Sequence, residues 1–264
     1  PAGRGAGVVL QGFHWTSWRA GGWYDRLEGI AEDAAQAGFT DVWFPPPCHS
    51  ASPEGYLPGR YYDLNTPYGT RAELARCVGA FREAGVRCLA DLVLNHRCLV
   101  GQDEEGKLTN FSAPTQPCVE GDEACEAYVS KVTDWSKWVI VANDGGYNGG
   151  DGGGDAQEPT TIAPDLDHAN PELRAALTEW LRWLQNEVGF EGWRLDFARG
   201  FGAEYVARYV RDSVGADALS VAEYWADASW RGAQLEYNQD RMRQLMCDWI
   251  DAGGYPPHLI FPLR

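Results

Sequence analysis

The chain has 264 residues, 44% of them hydrophobic, which is enough to bury one large core or one core with a small additional domain. No run of about eighteen apolar residues occurs, and the first ten residues do not resemble a signal peptide, so we expect a soluble protein. Asp and Glu outnumber Lys and Arg by 38 to 22, and the resulting net charge of −16 argues against nucleic acid and anionic membranes as partners.

Strand-like runs alternate with helical patterns along most of the chain. In chain order, we predict strands at residues 7–12, 40–44, 86–94, 190–197 and 219–224, and helices at residues 23–37, 71–84, 171–188 and 203–213. This alternation is typical of a parallel α/β architecture. Between residues 97 and 165 the sequence is polar and glycine-rich, and a small inserted domain and a flexible linker explain that stretch equally well.

Aromatic and cysteine residues narrow the class of protein further. The 12 Trp, 12 Tyr and 9 Phe residues suit the binding of sugar rings, although any single one of them is more simply explained as part of a core. The seven Cys residues show neither a zinc-binding spacing nor a disulfide framework. Cys118 and Cys125 are the one pair that resembles a local bridge.

The motif DLVLNH, at residues 91–96, ends the third predicted strand. It places the polar side chains of Asn95 and His96 at the carboxyl end of a parallel strand, where α/β proteins build their sites. A lone Asn-His pair is more often a hydrogen-bonded turn than a binding site. The motif alone is therefore a weak indication of function.

Two further motifs add charged side chains at strand ends. In GWRLDFARG, at residues 192–200, Arg194 and Asp196 share a strand face, and a neighbouring guanidinium favours the ionised form of a carboxyl group. In VAEYW, at residues 221–225, apolar neighbours should raise the pKa of Glu223, as a general acid requires. Taken singly, each motif is more simply explained as a structural ion pair or a solvated charge. Together they form the carboxyl pair that glycoside hydrolysis uses.

In this order, the three motifs resemble those of the α-amylase family, family 13 of the glycoside hydrolases. The segments QGFHWTSW, at residues 11–18, and PPPCHSASPEGYLPGRYYDLN, at residues 45–65, resemble the plant-type α-amylases more narrowly. The resemblance extends from about residue 8 to about residue 254. The plant-type segments argue against branching and transglycosylating members of the family.

The resemblance implies a TIM (β/α)8-type barrel that is incomplete here, with about five strand-helix units and a small domain B inserted after strand 3. Domain A would comprise residues 1–96 and 166–264, and domain B residues 97–165. The chain contains no motif like F-V-D-N-H-D, which carries the third catalytic Asp of the family after strand 7. Residues 253–264 also do not resemble the family. We therefore expect a C-terminally truncated chain with little activity of its own.

The implied reaction is the endo-hydrolysis of α-1,4-glucosidic bonds in starch, glycogen or malto-oligosaccharides with retention of configuration. Asp196 matches the nucleophile and Glu223 the general acid and base, and retention predicts that their carboxyl groups lie about 5 to 5.5 Å apart. Arg194 would orient Asp196. His96 would hydrogen-bond the sugar at the cleavage point, and Tyr56 would stack on the same ring.

The resemblance also implies a calcium ion between the barrel and domain B. The side chain of Asn95 and the carbonyl of Gly200 match two ligands, and Asp144 and Asp155 are our choices to complete the oxygen shell, with Asp151 as a competing candidate. The full-length family member would be a monomer. A plastid or an extracellular location is favoured over the cytosol.

Two alternatives remain open from the sequence. The chain could be a glucan-binding or regulatory relative that keeps aromatic subsites without turnover. It could also be a truncation that folds poorly, because a barrel that stops after strand 5 leaves an unpaired edge.

Overall fold

The computed structural model describes residues 7–98, 135, 137–142, 163–224, 228–253 and 259–261. Six strands form one parallel sheet, and each pairs with the next strand of the series. These strands are β1 (Val9–Gln11), β2 (Asp41–Phe44), β3 (Arg87–Leu92), β4 (Gly192–Leu195), β5 (Ser220–Glu223) and β8 (Leu259–Phe261). The sheet and its connecting helices confirm the expected incomplete TIM barrel.

Within the described residues, six helices and one hairpin lie between the strands. The helices are α1 (Trp23–Glu28), α2 (Ala31–Gln36), α3 (Arg71–Glu83), α4 (Pro171–Trp183), α5 (Ala203–Ser213) and α6 (Asp240–Gly253). A π turn at Leu184–Val188 continues α4, and short 3-10 turns lie at Ser17–Ala20, Lys137–Val139 and Ala198–Gly200. The antiparallel hairpin pairs β6 (Trp230–Arg231) with β7 (Gln234–Leu235).

Local chemistry explains where the barrel helices α3 and α4 begin. Thr70 caps α3 in a capping box, because its side chain accepts from the Glu73 amide while the Glu73 carboxylate accepts from the Thr70 amide. Asn170 caps α4 by accepting from two amides of the first turn, and Pro171 supplies a preset φ at the first helical position. Both helices turn an apolar stripe inward, which for α4 comprises Leu173, Leu177, Trp180 and Leu181.

The core lies between the sheet and the helices. Phe44 of β2 packs edge-on against Phe81 of α3 and Phe190, with ring centroids 5.9 and 5.6 Å apart. The buried Trp193 of β4 donates its indole N–H to the Ser213 hydroxyl at 2.8 Å, and Trp180 donates to the Tyr61 carbonyl, also at 2.8 Å. Each such ring contributes roughly 1.5–3 kcal/mol by burial, so this layer fixes the positions of the strand ends that carry the site.

The structure corrects two expectations about secondary structure. The helix predicted at residues 23–37 is interrupted at Gly29 and Ile30 and forms two short helices. The sheet contains a sixth strand, since β8 pairs in parallel with β5 through Leu259 and Val221. We missed β8 because prolines flank its short apolar run and it follows the last segment that resembles the family.

The two ends of the predicted domain B meet beside the barrel. An isolated bridge joins His96 to Asp165, and a second joins Ile140 to Leu166. Asp144, Asp151 and Asp155 lie outside the described residues, as do the cysteines of the predicted local bridge, Cys118 and Cys125. Every helix within the described ranges is too short or too polar to cross a membrane.

Candidate active site

One buried guanidinium gathers three carboxyl groups at the carboxyl ends of three neighbouring strands. Nη1 of Arg194, on β4, donates to Oδ1 of Asp91 at 2.8 Å and to Oδ1 of Asp196 at 2.7 Å. Nη2 of Arg194 lies 2.6 Å from Oε1 of Glu223. We call Arg194, Asp91, Asp196 and Glu223 the carboxyl cluster.

The strand register brings these side chains together. Asp91 of β3 is the direct ladder partner of Arg194, and Arg194 in turn pairs with Val221 of β5. Glu223 follows Val221 by two positions and therefore shares its face of the sheet. The Asp196 amide donates to the Leu92 carbonyl at 2.9 Å, which extends the pairing of β4 by one step and holds Asp196 on the face of Arg194.

Aromatic side chains line the cluster on the side of β2. Asp91 accepts two further hydrogen bonds at Oδ2, from the Trp43 indole at 3.1 Å and from the Tyr56 hydroxyl at 2.9 Å. The guanidinium carbon of Arg194 lies 4.9 Å from the ring centroid of Trp43, within the range of a cation–π contact. Trp15 stacks on Tyr56 with ring centroids 5.9 Å apart and an angle of 10° between the rings.

The charges of the cluster do not balance. Burial raises the pKa of Asp196 well above its ordinary value, and although Arg194 opposes the rise, Asp91 and Glu223 add to it. Burial also raises the pKa of Asp91 against the opposing effect of Arg194. Burial alone would lower the pKa of Arg194, but the surrounding carboxyl groups raise it above its ordinary value.

The direction of the Asp196 shift is opposite to the expectation from the sequence. We expected Arg194 to hold Asp196 in its ionised form, but the guanidinium is shared with two further buried carboxyl groups. One positive charge cannot neutralise three negative ones. Asp91 and Asp196 therefore retain a proton more readily than separate surface carboxyl groups would.

Backbone strain lies directly beside the carboxyl cluster. Phe197 has φ 43° and ψ 45°, and among the described residues it is the only one other than glycine with a positive φ. Its amide donates to Oε2 of Glu223 at 3.2 Å. A bulky residue in this left-handed region is strained by about 1–3 kcal/mol, and such strain is found mainly at functional sites.

The two predicted sugar-binding residues contact each other. Nε2 of the buried His96 lies 2.9 Å from the Tyr56 carbonyl, so we assign the ring proton to Nε2. Nδ1 of His96 lies 3.4 Å from the Asn95 amide nitrogen. Burial lowers the pKa of His96, which keeps the ring neutral near pH 7. His96 thus supports the backbone of Tyr56, while the Tyr56 hydroxyl is bonded to Asp91.

The surroundings of Asn95 show whether the residues predicted to bind calcium suit such an ion. Its Nδ2 donates to Oδ1 of Asp165 at 2.8 Å, whereas its buried Oδ1 has no hydrogen-bond partner. A Cβ atom added to Gly200 would collide with this oxygen, so only glycine fits beside it. Within the described residues no group of three or more His, Cys, Asp or Glu side chains could hold a metal. Asn95 and Gly200 therefore fit part of an oxygen-ligand site.

Known proteins resemble the chain over almost its whole length, although no family model matches it. Alpha-amylase 3, chloroplastic, of Arabidopsis thaliana is 38% identical over 250 residues, which cover 95% of this chain and 26% of that protein. Probable alpha-amylase 2 of the same plant is 34% identical over 250 residues, covering 95% of this chain and 55% of the relative. This chain belongs to the α-amylase family.

Solved structures of α-amylases share its fold. The α-amylase from Malbranchea cinnamomea matches with a TM-score of 0.56 at 15% identity. The match covers 92% of this chain and 48% of the Malbranchea enzyme. The enzyme from Geobacillus thermoleovorans, solved with acarbose, has a TM-score of 0.54 at 18% identity, covering 87% and 43%. At these identities the likeness shows the fold alone. The chain spans about a quarter and about half of the lengths of its two Arabidopsis relatives.

Sequence reasoning missed three side chains at the site of this family member. Asp91 opens the motif DLVLNH, but we assigned it no role because only the ladder register shows that it faces Arg194. Trp43 and Trp15 were counted among the aromatics without a position. The alternation of side chains along a strand could have indicated Trp43, which lies two positions after Asp41 near the end of β2. Nothing in the sequence indicates that Trp15 stacks on Tyr56.

Proposed function

We propose that the carboxyl cluster hydrolyses α-1,4-glucosidic bonds in starch, glycogen or malto-oligosaccharides with retention of configuration. The single observation that carries this proposal is the bridging position of Arg194, which contacts Asp196 and Glu223 at 2.7 and 2.6 Å. Two carboxyl groups that share one guanidinium face the same space, as a nucleophile and an acid must. We keep the prediction that they lie about 5 to 5.5 Å apart.

The proposed reaction has two steps. Asp196 attacks the anomeric carbon and forms a glycosyl ester while the glycosidic C–O bond breaks, and the leaving oxygen takes the proton of Glu223. Water then donates a proton to Glu223 and its oxygen to the anomeric carbon, which releases Asp196. A proton on Glu223 before the first step also removes one negative charge from the cluster, so that Arg194 can stabilise the ionised Asp196.

The neighbouring residues would position the sugar. We propose that Tyr56 stacks on the ring at the cleavage point and that Arg194 orients Asp196. His96 holds the carbonyl of Tyr56, and a direct hydrogen bond from His96 to the sugar would require its Nε2 proton to leave that carbonyl. Asp91 contacts Arg194 and Tyr56, so we assign it a positioning role between them.

Covalent trapping tests the proposed roles. An α-glucosyl fluoride that loads the enzyme faster than it is hydrolysed should add one glycosyl group to the intact chain, and peptide mapping should locate it on Asp196. Asp196→Asn should give no adduct, whereas Glu223→Gln should still form one, because fluoride needs no protonation to leave. An adduct on another residue would contradict the assignment of Asp196.

The rate of this chain alone is a separate prediction. Because no third acidic motif like F-V-D-N-H-D occurs in the sequence, we propose that the 264 residues release reducing sugar from soluble starch slowly or not at all. Reducing-sugar release at an ordinary enzyme rate would contradict this. Retention on a starch column without the trapped adduct would favour the non-catalytic, glucan-binding alternative.

We further propose a calcium ion at the junction between the barrel and the stretch at residues 97–165, which we propose as domain B. The unpartnered Oδ1 of Asn95 supports this, and the Gly200 carbonyl with Asp144 and Asp155, or Asp151, would complete the shell. Calcium should raise the melting temperature, chelation should reverse the increase, and Asn95→Ala should abolish it. A melting temperature that does not respond to chelator would remove the site.

Location and assembly remain proposals as well. One Arabidopsis relative is named as a chloroplastic protein, and because of the similarity to it we propose a plastid location rather than the extracellular space. We propose a monomer. Expression of the complete gene fused to a fluorescent protein would test the location.

A further inference from the structure

One fully buried histidine belongs neither to the carboxyl cluster nor to the proposed calcium shell. Nε2 of His168 lies 3.0 Å from the Leu94 carbonyl oxygen, and its Nδ1 lies 2.7 Å from the hydroxyl of Tyr209 on α5. A carbonyl oxygen only accepts, so we assign the ring proton to Nε2, and Nδ1 then accepts from the Tyr209 hydroxyl. Burial lowers the pKa of His168 to about 3, which keeps the ring neutral. One tautomer therefore satisfies both ring nitrogens.

Aromatic side chains fix the plane of the His168 ring. Phe201 stacks on it with ring centroids 4.4 Å apart and an angle of 21° between the rings. Tyr205 of α5 lies 6.0 Å away at an angle of 28°, and Tyr209 approaches edge-on at 5.7 Å. Packing and hydrogen bonds together hold such a ring in one orientation. The orientation of His168 is therefore set largely by α5, which contributes no side chain to the carboxyl cluster.

The two groups that His168 contacts share peptide units with the predicted calcium ligands. The Leu94 carbonyl and the Asn95 amide form one planar unit, so the hydrogen bond from His168 orients the backbone from which the Asn95 side chain projects. The Gly200 carbonyl and the Phe201 amide form a second planar unit, and the stacked rings hold it in place. A single side chain thus supports both sides of the predicted site.

The oxygen of Asn95 needs this support. Its buried Oδ1 has no hydrogen-bond partner and lies where a Cβ atom on Gly200 would be. The other polar groups of Asn95 are engaged, because Nδ2 donates to Asp165 and the backbone carbonyl accepts from the Leu166 amide, both at 2.8 Å. A buried oxygen without a donor is unfavourable, so the surrounding structure must hold it in position. Rigidity of this kind is one of the properties that set calcium affinity.

We propose that His168 is a positioning residue of the calcium site, which holds the peptide units of Asn95 and Gly200 in the geometry that the ion requires. His168 itself does not contact the ion. The inference rests on the calcium ion of the proposed function. It differs from a purely structural role because it predicts a loss of calcium affinity that is separate from any loss of stability. Replacing groups that support metal ligands typically lowers metal affinity about 10- to 100-fold.

Titration calorimetry of the 264-residue chain with calcium chloride tests this role. His168→Phe keeps a flat ring beside Phe201 but leaves the Leu94 carbonyl without its donor, and it should raise the dissociation constant of calcium roughly tenfold. His168→Gln should recover most of the affinity, because its side-chain amide can donate from the position of Nε2. Asn95→Ala, which removes a proposed ligand, gives the reference value for a lost site.

Tyr209→Phe is the matched control. It removes one hydrogen bond of the same histidine but leaves the bond to the Leu94 carbonyl in place. It should lower the melting temperature measured in chelator and leave the calcium dissociation constant unchanged. Phe201→Leu removes the stacked ring on the other side of the site and should weaken calcium binding. This variant decides the outcome if His168→Phe does not fold.

Three results would overturn the inference. The first is an unchanged dissociation constant in His168→Phe, or in Phe201→Leu if His168→Phe does not fold. The second is a loss of affinity in Tyr209→Phe as large as that in His168→Phe, and the third is a His168→Gln variant that binds no better than His168→Phe. A parent chain that does not bind calcium removes the calcium site together with the role of His168. The Asp196 adduct tests the catalytic proposal separately.

Discussion

Two arginine–carboxylate groups lie at opposite ends of the barrel strands, and they are built differently. At the amino end, Arg87 contacts both oxygens of Asp41, at 2.7 and 2.9 Å, and the two residues are ladder partners that begin β3 and β2. At the carboxyl end, Arg194 serves three carboxyl groups. The group at the amino end has one guanidinium for one carboxyl group, whereas the group at the carboxyl end has one guanidinium for three.

The difference indicates which end serves stability and which serves chemistry. A one-to-one pair adds no net charge to the interior. A cluster with excess negative charge disfavours the ionised state of its own members, as the raised pKa of Asp196 shows. Such a state persists where the surrounding structure enforces it, and carboxyl groups with perturbed pKa values are found mainly at functional sites.

The largest difference in stability between the two groups should appear when the arginine of each is removed. Arg194→Met leaves three buried carboxyl groups without their cation and should lower the free energy of unfolding at pH 7 by about 3–5 kcal/mol. Arg87→Met should cost about 1–2 kcal/mol, because the Arg87 side chain is one third exposed and the Thr40 hydroxyl still donates to Asp41 at 2.7 Å. Urea unfolding measures both, and equal losses would contradict the comparison.

A smaller effect should follow from removing one donor to the cluster. Tyr56→Phe removes the hydroxyl that donates to Asp91 at 2.9 Å but keeps the ring that stacks on Trp15, and it should destabilise the fold by about 1.5–2 kcal/mol. The matched control is Tyr68→Phe, which removes a hydrogen bond to the neutral Glu54 carbonyl and should cost about 1 kcal/mol. Thermal unfolding at pH 7 compares the two variants, and a larger loss in the control would argue against a charged Asp91.

The fold could be predicted from the sequence because its signals are local. Alternating strands and helices, the cap at Asn170 and the apolar stripe of α4 are all encoded within a few residues. The division of residues 23–37 into two helices was missed because it depends on Gly29 and Ile30 within an otherwise helical pattern. β8 was missed because its place beside β5 depends on pairing with a distant strand.

The site could be predicted only in part, for the same reason. Arg194 and Asp196 were placed together by their spacing on one strand, which is local information. The contact of Asp91 with Arg194 joins positions that are 103 apart and depends on the register between β3 and β4. Without Asp91 the charge balance of the cluster could not be counted, and the direction of the Asp196 pKa shift was therefore wrong.

Replacing one carboxyl group by an amide should change the free energy of unfolding in opposite directions at the two ends of the barrel. The smaller change is expected at the carboxyl end. The pKa of Asp196 is higher in the folded chain than the value of about 3.9 in an unfolded chain. Between these two pKa values the folded state binds more protons, so stability falls as pH rises through that window. Asp196→Asn removes this penalty and keeps an oxygen that can accept from Arg194.

We therefore expect Asp196→Asn to stabilise the chain by about 1 kcal/mol at pH 7, with the gain vanishing as pH falls toward the unfolded pKa of about 4. Asp41→Asn should instead destabilise it at pH 7, because Arg87 loses its only carboxylate partner among the described residues. Calorimetric melting of both variants at pH 7 and pH 4 measures the contrast. A stabilised Asp41→Asn, or an Asp196→Asn gain that persists at pH 4, would show that excess charge does not distinguish the two ends of the barrel.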